Sequence, residues 1–333
     1  MEQKTQSKNP YLRLGLIKNP FPSIPISLPF RDSPFCKEVF KTKIQYLEEF
    51  AFKVKNLSPQ ICLIVGERGC GKSAILKFLL KECQKLESTV SIYMTFGLTS
   101  GFAPLYRSAL WWLGKDFIRN VCVSKASSHI LPKYFLDFKL NPDKAYSRLI
   151  FIGDNIKFPI LVELLNLIAE DKNIIIGIDS FDNIFSLLAN NQKIDLIYGF
   201  NRLVFGIDGN VALFINARGN MLNWLKENRL ELKYLGIDNR LIEPSSIFIN
   251  KLQLDQAYTL VSYYIKTNRL LSFIDKDEMF PFTHDAIELI YYKSRGNIRN
   301  FLLLCHDILN YSLYKSSSII NVDTVSKYLV HVR

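Results

Sequence analysis

ICLIVGERGCGKS, residues 61–73, is the stretch that decides the fold. Ile61 to Val65 is short, wholly apolar and rich in β-branched residues, so it reads as a strand buried on both faces of a parallel sheet. Gly66-Glu67-Arg68-Gly69-Cys70-Gly71-Lys72-Ser73 then completes the pattern GxxxxGK[ST]. Its glycines let the backbone curl until successive N–H groups converge on one anion. The helix opening near Lys72 adds the positive end of its dipole, and the lysine ammonium reaches the outer phosphates. Ser73 offers its hydroxyl to magnesium. The expectation is a nucleotide-binding loop of Gly66, Arg68, Gly69, Cys70, Gly71, Lys72, Ser73 and Ala74, with ATP and Mg2+ as cofactors.

On either side of this loop the apolar pattern alternates between strand and helix. Helical periodicity runs over 34–56 and 73–86. Short apolar runs at Thr89–Phe96, Asn173–Ile178, Val211–Asn216 and Ser246–Asn250 read as strands. Helices expected at Pro104–Val121, Phe158–Glu170, Lys193–Phe205 and Asn220–Asn228 separate them, which gives an α/β fold: a five-stranded parallel sheet between helices. From Leu254 onward the pattern is helical only, at 255–267, 283–293, 297–314 and 322–331. Pro10, Pro20, Pro22, Pro25 and Pro29 mark the first stretch as extended. The expected division is an extended segment over 1–33, a nucleotide-binding α/β domain over 34–252 and a small all-helical domain over 253–333.

Phosphate chemistry needs an acid at the tip of a neighbouring strand to hold magnesium, and Ile174-Ile175-Ile176-Gly177-Ile178-Asp179 ends in one. Hydrolytic loops of this kind place a glutamate next; here the position is Ser180, which is no base at neutral pH. Asp182 either takes over that role or caps the following helix. Slow or partner-dependent hydrolysis is expected. At the end of the fourth strand Asn216 is the candidate for orienting water or sensing phosphate, with Arg218 second, and a plain polar strand end is the alternative. Arg299, in the first turn of a helix after Ser294-Arg295-Gly296-Asn297, stands where the dipole disfavours a cation. A nearby phosphate accounts for it, as does simple exposure.

Composition sets the outer bounds. With 333 residues, 48% of them hydrophobic and 22% charged, the chain is an ordinary globular one, neither disordered nor collagen-like. Its six cysteines show no metal-ligand spacing, and no apolar run reaches the length of a bilayer span, so a reduced, cytoplasmic protein away from membranes is expected. The net charge is +11, concentrated in the first half, while residues 151–250 are net acidic. Such a field favours a polyanion such as DNA, although many basic proteins are basic only for solubility.

GERGCGKS, IIIGIDSFDN, FINAR and SRGNIRNFLLLCHDIL, in this order and at these separations, resemble the AAA+ ATPases over residues 30–333. The likeness is to the branch of origin-recognition and loader ATPases, transposition-regulator ATPases and ExeA-type ATPases. The resemblance implies that Lys72 and Ser73 are the Walker A pair, Asp179 the Walker B aspartate, Asn216 the sensor 1 residue and Arg299 the sensor 2 arginine, with residues 253–333 as the lid. It also implies an arginine supplied in trans, Arg229 or Arg240, and homo-oligomers that are rings or filaments. Origin-recognition and loader relatives carry an extra DNA-contacting helix where this chain has residues 98–150. Arg107, Lys115 and Arg119 are candidate contacts to double-stranded DNA there, among Tyr106, Trp111, Trp112 and Phe117, which are either core, subunit contacts or base-stacking platforms. The chain stops soon after the lid, leaving no room for a winged-helix domain, so the compact transposition-regulator and ExeA-type plan is the nearer one. The expected function is an ATP-binding oligomer that acts on DNA and recruits a protein partner in transposition or replication. The alternatives are a STAND- or KAP-like signalling switch and a slow structural ATPase subunit, neither of which binds nucleic acid.

Overall fold

The computed structural model describes residues 9–23, 60–96, 102–124 and 135–332. The helix expected over 34–56 lies outside them. Two compact units divide the chain: Thr42–Gly66 with Lys72–Ile249, and Met1–Lys41 with Glu67–Gly71 and Asn250–Arg333.

The first unit is built on five strands, β1 Gln60–Val65, β2 Thr89–Thr95, β3 Asn173–Asp179, β4 Val211–Ala217 and β5 Ser245–Phe248. They form one sheet in the order β2-β3-β4-β1-β5, and every pairing is parallel. β4 is buried along its whole length, so both faces of the sheet are covered, as unalternating apolar strands require. The covering helices are α1 Lys72–Cys83, α2 Ala103–Leu113, α3 Lys115–Ser124, α4 Pro142–Ile150, α5 Asp154–Ala169, α6 Phe181–Phe185, α7 Asn190–Phe205, α8 Gly219–Glu227, α9 Arg229–Tyr234 and α10 Asn239–Ile242. One continuous core joins sheet and helices, from Leu63 and Ile176 in the strands to Leu110, Leu164 and Phe200 around them.

Several expectations need correction. The single helix expected over Pro104–Val121 is two, because Gly114 adopts φ 76°, and its N–H closes α2 on the Leu110 carbonyl. Helix α4 was not expected; Asn141 caps it through the Lys144 N–H and Pro142 occupies its first turn. The strand bearing Asp179 is not adjacent to β1 either, since β4 intervenes.

In the second unit four helices follow one another: α11 Leu254–Lys266, α12 His284–Ser294, α13 Ile298–Tyr314 and α14 Val322–His331. Residues 9–23 belong to the same unit. Within the stretch expected to be extended, Pro10–Leu14 makes a 3-10 turn opened by Asn9, whose side chain accepts from the Tyr11 N–H. Leu14, Leu16 and Phe21 are buried, and Phe21 sits 5.7 Å from the rings of both Tyr264 and Phe282. Tyr11 Oη and Asn19 Nδ2 both donate to Asn310 Oδ1 on α13, at 2.8 and 3.0 Å. Among the described residues no helix is long and apolar enough to cross a membrane.

Candidate nucleotide-binding site

Parallel sheets bind ligands at the carboxyl ends of their strands, where loops leave the sheet and helices begin. Here β1 runs into Gly66 and α1 starts at Lys72. Asp179 closes β3, and Asn216 lies one residue from the end of β4. Register makes these tips neighbours, with Ile178 beside Ile215 and Ile64 beside Asn216.

Lys72, largely buried, donates from Nζ to the Gly66 carbonyl at 2.7 Å, so its ammonium lies across its own loop. Asp179, only 5% exposed, is the hub. Its Oδ1 accepts from Ser73 Oγ at 2.9 Å, from Asn216 Nδ2 at 2.8 Å and from the Ser180 N–H at 2.7 Å. Its Oδ2 accepts from Tyr93 Oη at 2.6 Å. A carboxylate taken out of water needs such a set of donors. Ser180 reaches this position with φ 60°, a left-handed conformation uncommon for a residue with a side chain. Asp182 follows in α6, and its side chain lies outside those described.

Tyr93 has no part in the sequence reading. It stands on β2 opposite Gly177, which makes it the diagonal neighbour of Asp179 on one face of the sheet. Burial, reinforced by the charge of Asp179 and the hydrogen bond to it, pushes the phenol well above its ordinary pKa, so it is a neutral donor. Lys77 places Nζ 4.9 Å from the centre of the Tyr93 ring. Burial pulls that ammonium below its usual value, and Asp179 opposes the shift. The available signal was a tyrosine within TVSIYMT, a strand otherwise free of large polar residues.

Ser73 Oγ and Asp179 Oδ1 are hard oxygen donors of the class magnesium takes. Asn216 is 1% exposed, and its Oδ1 accepts no hydrogen bond among the described residues. That atom suits a water molecule held by a metal, so the residues present fit magnesium.

The apex of the loop, Glu67–Gly71, belongs to the helical unit. Asn297 caps α13 by accepting from the Asn300 N–H, and its Nδ2 donates to the Arg68 carbonyl at 2.7 Å. The Arg299 N–H donates to the Gly69 carbonyl at 3.2 Å, and Lys251 faces Glu67 at 3.6 Å. Gly69, at φ +84°, is pressed so close that a Cβ would stand 2.5 Å from Asn297 Oδ1. The carbonyls of Arg68 and Gly69 are thus both engaged at the start of α13, within one unit. Arg299 lies at the first turn of α13 as expected, whereas Asn297 was quoted in the sequence without being given a role.

The remaining candidates have other partners. Arg229 pairs with Glu243 at 2.8 Å. Arg240 grips Asp238 through Nε and Nη2, each at 3.0 Å, and stacks 4.4 Å from the Phe205 ring. Arg107 faces Asp154 at 3.7 Å and Lys115 pairs with Asp143 at 2.6 Å, while Arg119 is exposed on α3. Of the aromatics among them, Tyr106 is buried and donates to the Leu149 carbonyl, Trp112 donates to the Ser91 carbonyl, and Phe117 packs on the core. Trp111 is 80% exposed.

No protein-family model and no curated protein matches this sequence. Solved structures do. The Aeropyrum pernix ORC2 protein in its ADP form is 12% identical, covers 92% of this chain and 70% of its own, and superposes with a TM-score of 0.56. The ADPNP–ADP complexes of the same protein give 13% identity, 93% and 70% coverage and a TM-score of 0.57. The Aeropyrum pernix ORC1 protein in complex with DNA is 11% identical, over 98% of this chain and 69% of its own, at a TM-score of only 0.48. Five parallel strands in this order, the glycine loop after β1, polar tips on β3 and β4 and a helical C-terminal unit give the chain a P-loop fold like that of the Aeropyrum pernix ORC2 protein.

Proposed function

We propose that the chain binds ATP with magnesium at residues 66–74 and works as a DNA-associated ATPase oligomer that recruits a protein partner, in transposition or replication. The observation that carries this reading is the hydrogen-bonded set of Ser73, Asp179 and Asn216 beside a loop whose lysine is already folded over it. In it Lys72 neutralises the outer phosphates, Ser73 and Asp179 hold magnesium, and Asn216 orients water through its free Oδ1. When bound, the ion draws charge off the phosphate oxygens. Arg299 serves as the phosphate sensor, and Arg229 or Arg240 is supplied in trans after leaving Glu243 or Asp238. Support for DNA is the net charge of +11, with Arg107, Lys115 and Arg119 as backbone contacts. Two of these three already carry acidic partners, so their contribution is expected to be partial.

A second reading is favoured by Ser180. Without a carboxylate after Asp179, a protein that keeps its nucleotide and turns it over slowly, as a switch or structural subunit without nucleic acid, is equally served by this site.

Titration calorimetry with Mg2+ and ATP should give measurable heat for the wild type and none for Lys72→Ala. Duplex DNA titrated at several salt concentrations, with and without ATP, separates the two readings. The first requires affinity that falls with salt and rises with ATP; indifference to both leaves only the second. Absence of heat in the wild type would sink both.

A further inference from the structure

Buried tyrosine hydroxyls need an acceptor, and a backbone carbonyl is the ordinary one. Tyr106 and Tyr146 follow that habit, donating to the carbonyls of Leu149 and Leu110, each at 2.9 Å. Tyr93 instead donates to a carboxylate, at 2.6 Å, and the carboxylate is that of Asp179. It takes the oxygen that Ser73, Asn216 and the Ser180 N–H leave over. Its ring lies 5.5 Å from that of Trp112 and 4.9 Å from the Lys77 ammonium.

We propose that Tyr93 is a positioning residue for Asp179: its hydroxyl ties Oδ2 down and so keeps Oδ1 turned toward Ser73, which sets how tightly the site takes magnesium. The inference rests on the nucleotide reading above. A residue that fixes the orientation of a metal-binding carboxylate governs metal affinity without touching the metal, and its loss costs roughly ten- to a hundredfold in that affinity. Nucleotide affinity without metal depends on the loop amides and Lys72, so Tyr93 leaves it alone.

The test is Tyr93→Phe, which keeps the ring and removes only the hydroxyl. A fluorescent ATP analogue is titrated in EDTA and then at rising Mg2+. In EDTA the variant is expected to bind within about twofold of wild type, while the Mg2+ concentration for half-maximal effect rises about tenfold. Thermal unfolding of the apoprotein shows whether the variant is folded. In an Asp179→Asn background, Tyr93→Phe is expected to change the Mg2+ response no further, because the two side chains act as one unit. An unchanged or lower Mg2+ midpoint in the folded single variant would overturn the proposal, as would additive effects in the double variant. Loss of binding in EDTA would overturn it too, by making Tyr93 a structural residue. A wild type that binds no nucleotide in either condition fails the nucleotide reading itself, a result distinct from all of these.

Discussion

Ser180 directly follows Asp179 and holds a left-handed backbone at φ 60°. Its N–H is committed to Asp179 Oδ1 at 2.7 Å, so the turn serves the aspartate whatever side chain it bears. Ser180→Glu is expected to raise ATP turnover on the order of tenfold or more, measured as phosphate release, because a positioned base contributes about 10²–10⁴-fold to such reactions. Unchanged turnover in that variant, together with an inactive Asp182→Ala, would move the role to Asp182. At this scale the sequence was most informative where spacing is the chemistry: Lys72, Ser73 and Asp179 follow from a loop pattern and a strand end. Tyr93 did not, because its reach to Asp179 depends on β2 pairing with β3 in one register, which no local pattern encodes. Glu243 as the partner of Arg229 was hidden because it depends on the chain turning back after α9, whereas Asp238, two residues from Arg240 and the cap of α10, was a local pair open to reading.

Elements were legible in proportion to how far periodicity decides them. Strands of unbroken apolar residues could be read to within a residue or two, and so could α11 to α14. The short α6, α9 and α10 are too brief for a period to show, and α4 is announced only by its cap. Between α12 and α13 the connection is tight: Arg295 at φ 55° and Gly296 at φ 69° turn the chain before Asn297 caps the next helix. A Cβ on Gly296 would lie 2.9 Å from the Leu252 carbonyl, which is backbone and cannot rotate away. Gly296→Ala is therefore expected to lower the stability of the helical unit by about 1–3 kcal/mol, seen as an earlier transition in urea. An unshifted transition would show that this turn tolerates a side chain.

For the whole molecule, the division into two units means that unfolding need not be a single step, and each unit has its own weak points. Phe21, 3% exposed between Tyr264 and Phe282, is one of the helical unit's anchors although it lies far from them in sequence. Phe21→Ala should cost that unit about 3–5 kcal/mol, the usual range for emptying a buried aromatic site, and faster amide exchange in α11 would report it. Exchange no faster than in wild type would mean that the segment is merely draped over the surface. The prolines mark the stretch as extended, whereas its described part carries the 3-10 turn Pro10–Leu14, and no local pattern names the rings that Phe21 meets.

That arrangement also bears on biosynthesis. Phe21, buried like Leu14 and Leu16, is translated more than two hundred positions before Tyr264 and Phe282, the rings it packs against. At about 5–20 residues per second these side chains wait about ten seconds or more for their partners. Until those partners emerge, the three apolar side chains have no folded surface to cover them, which is the condition a holdase serves.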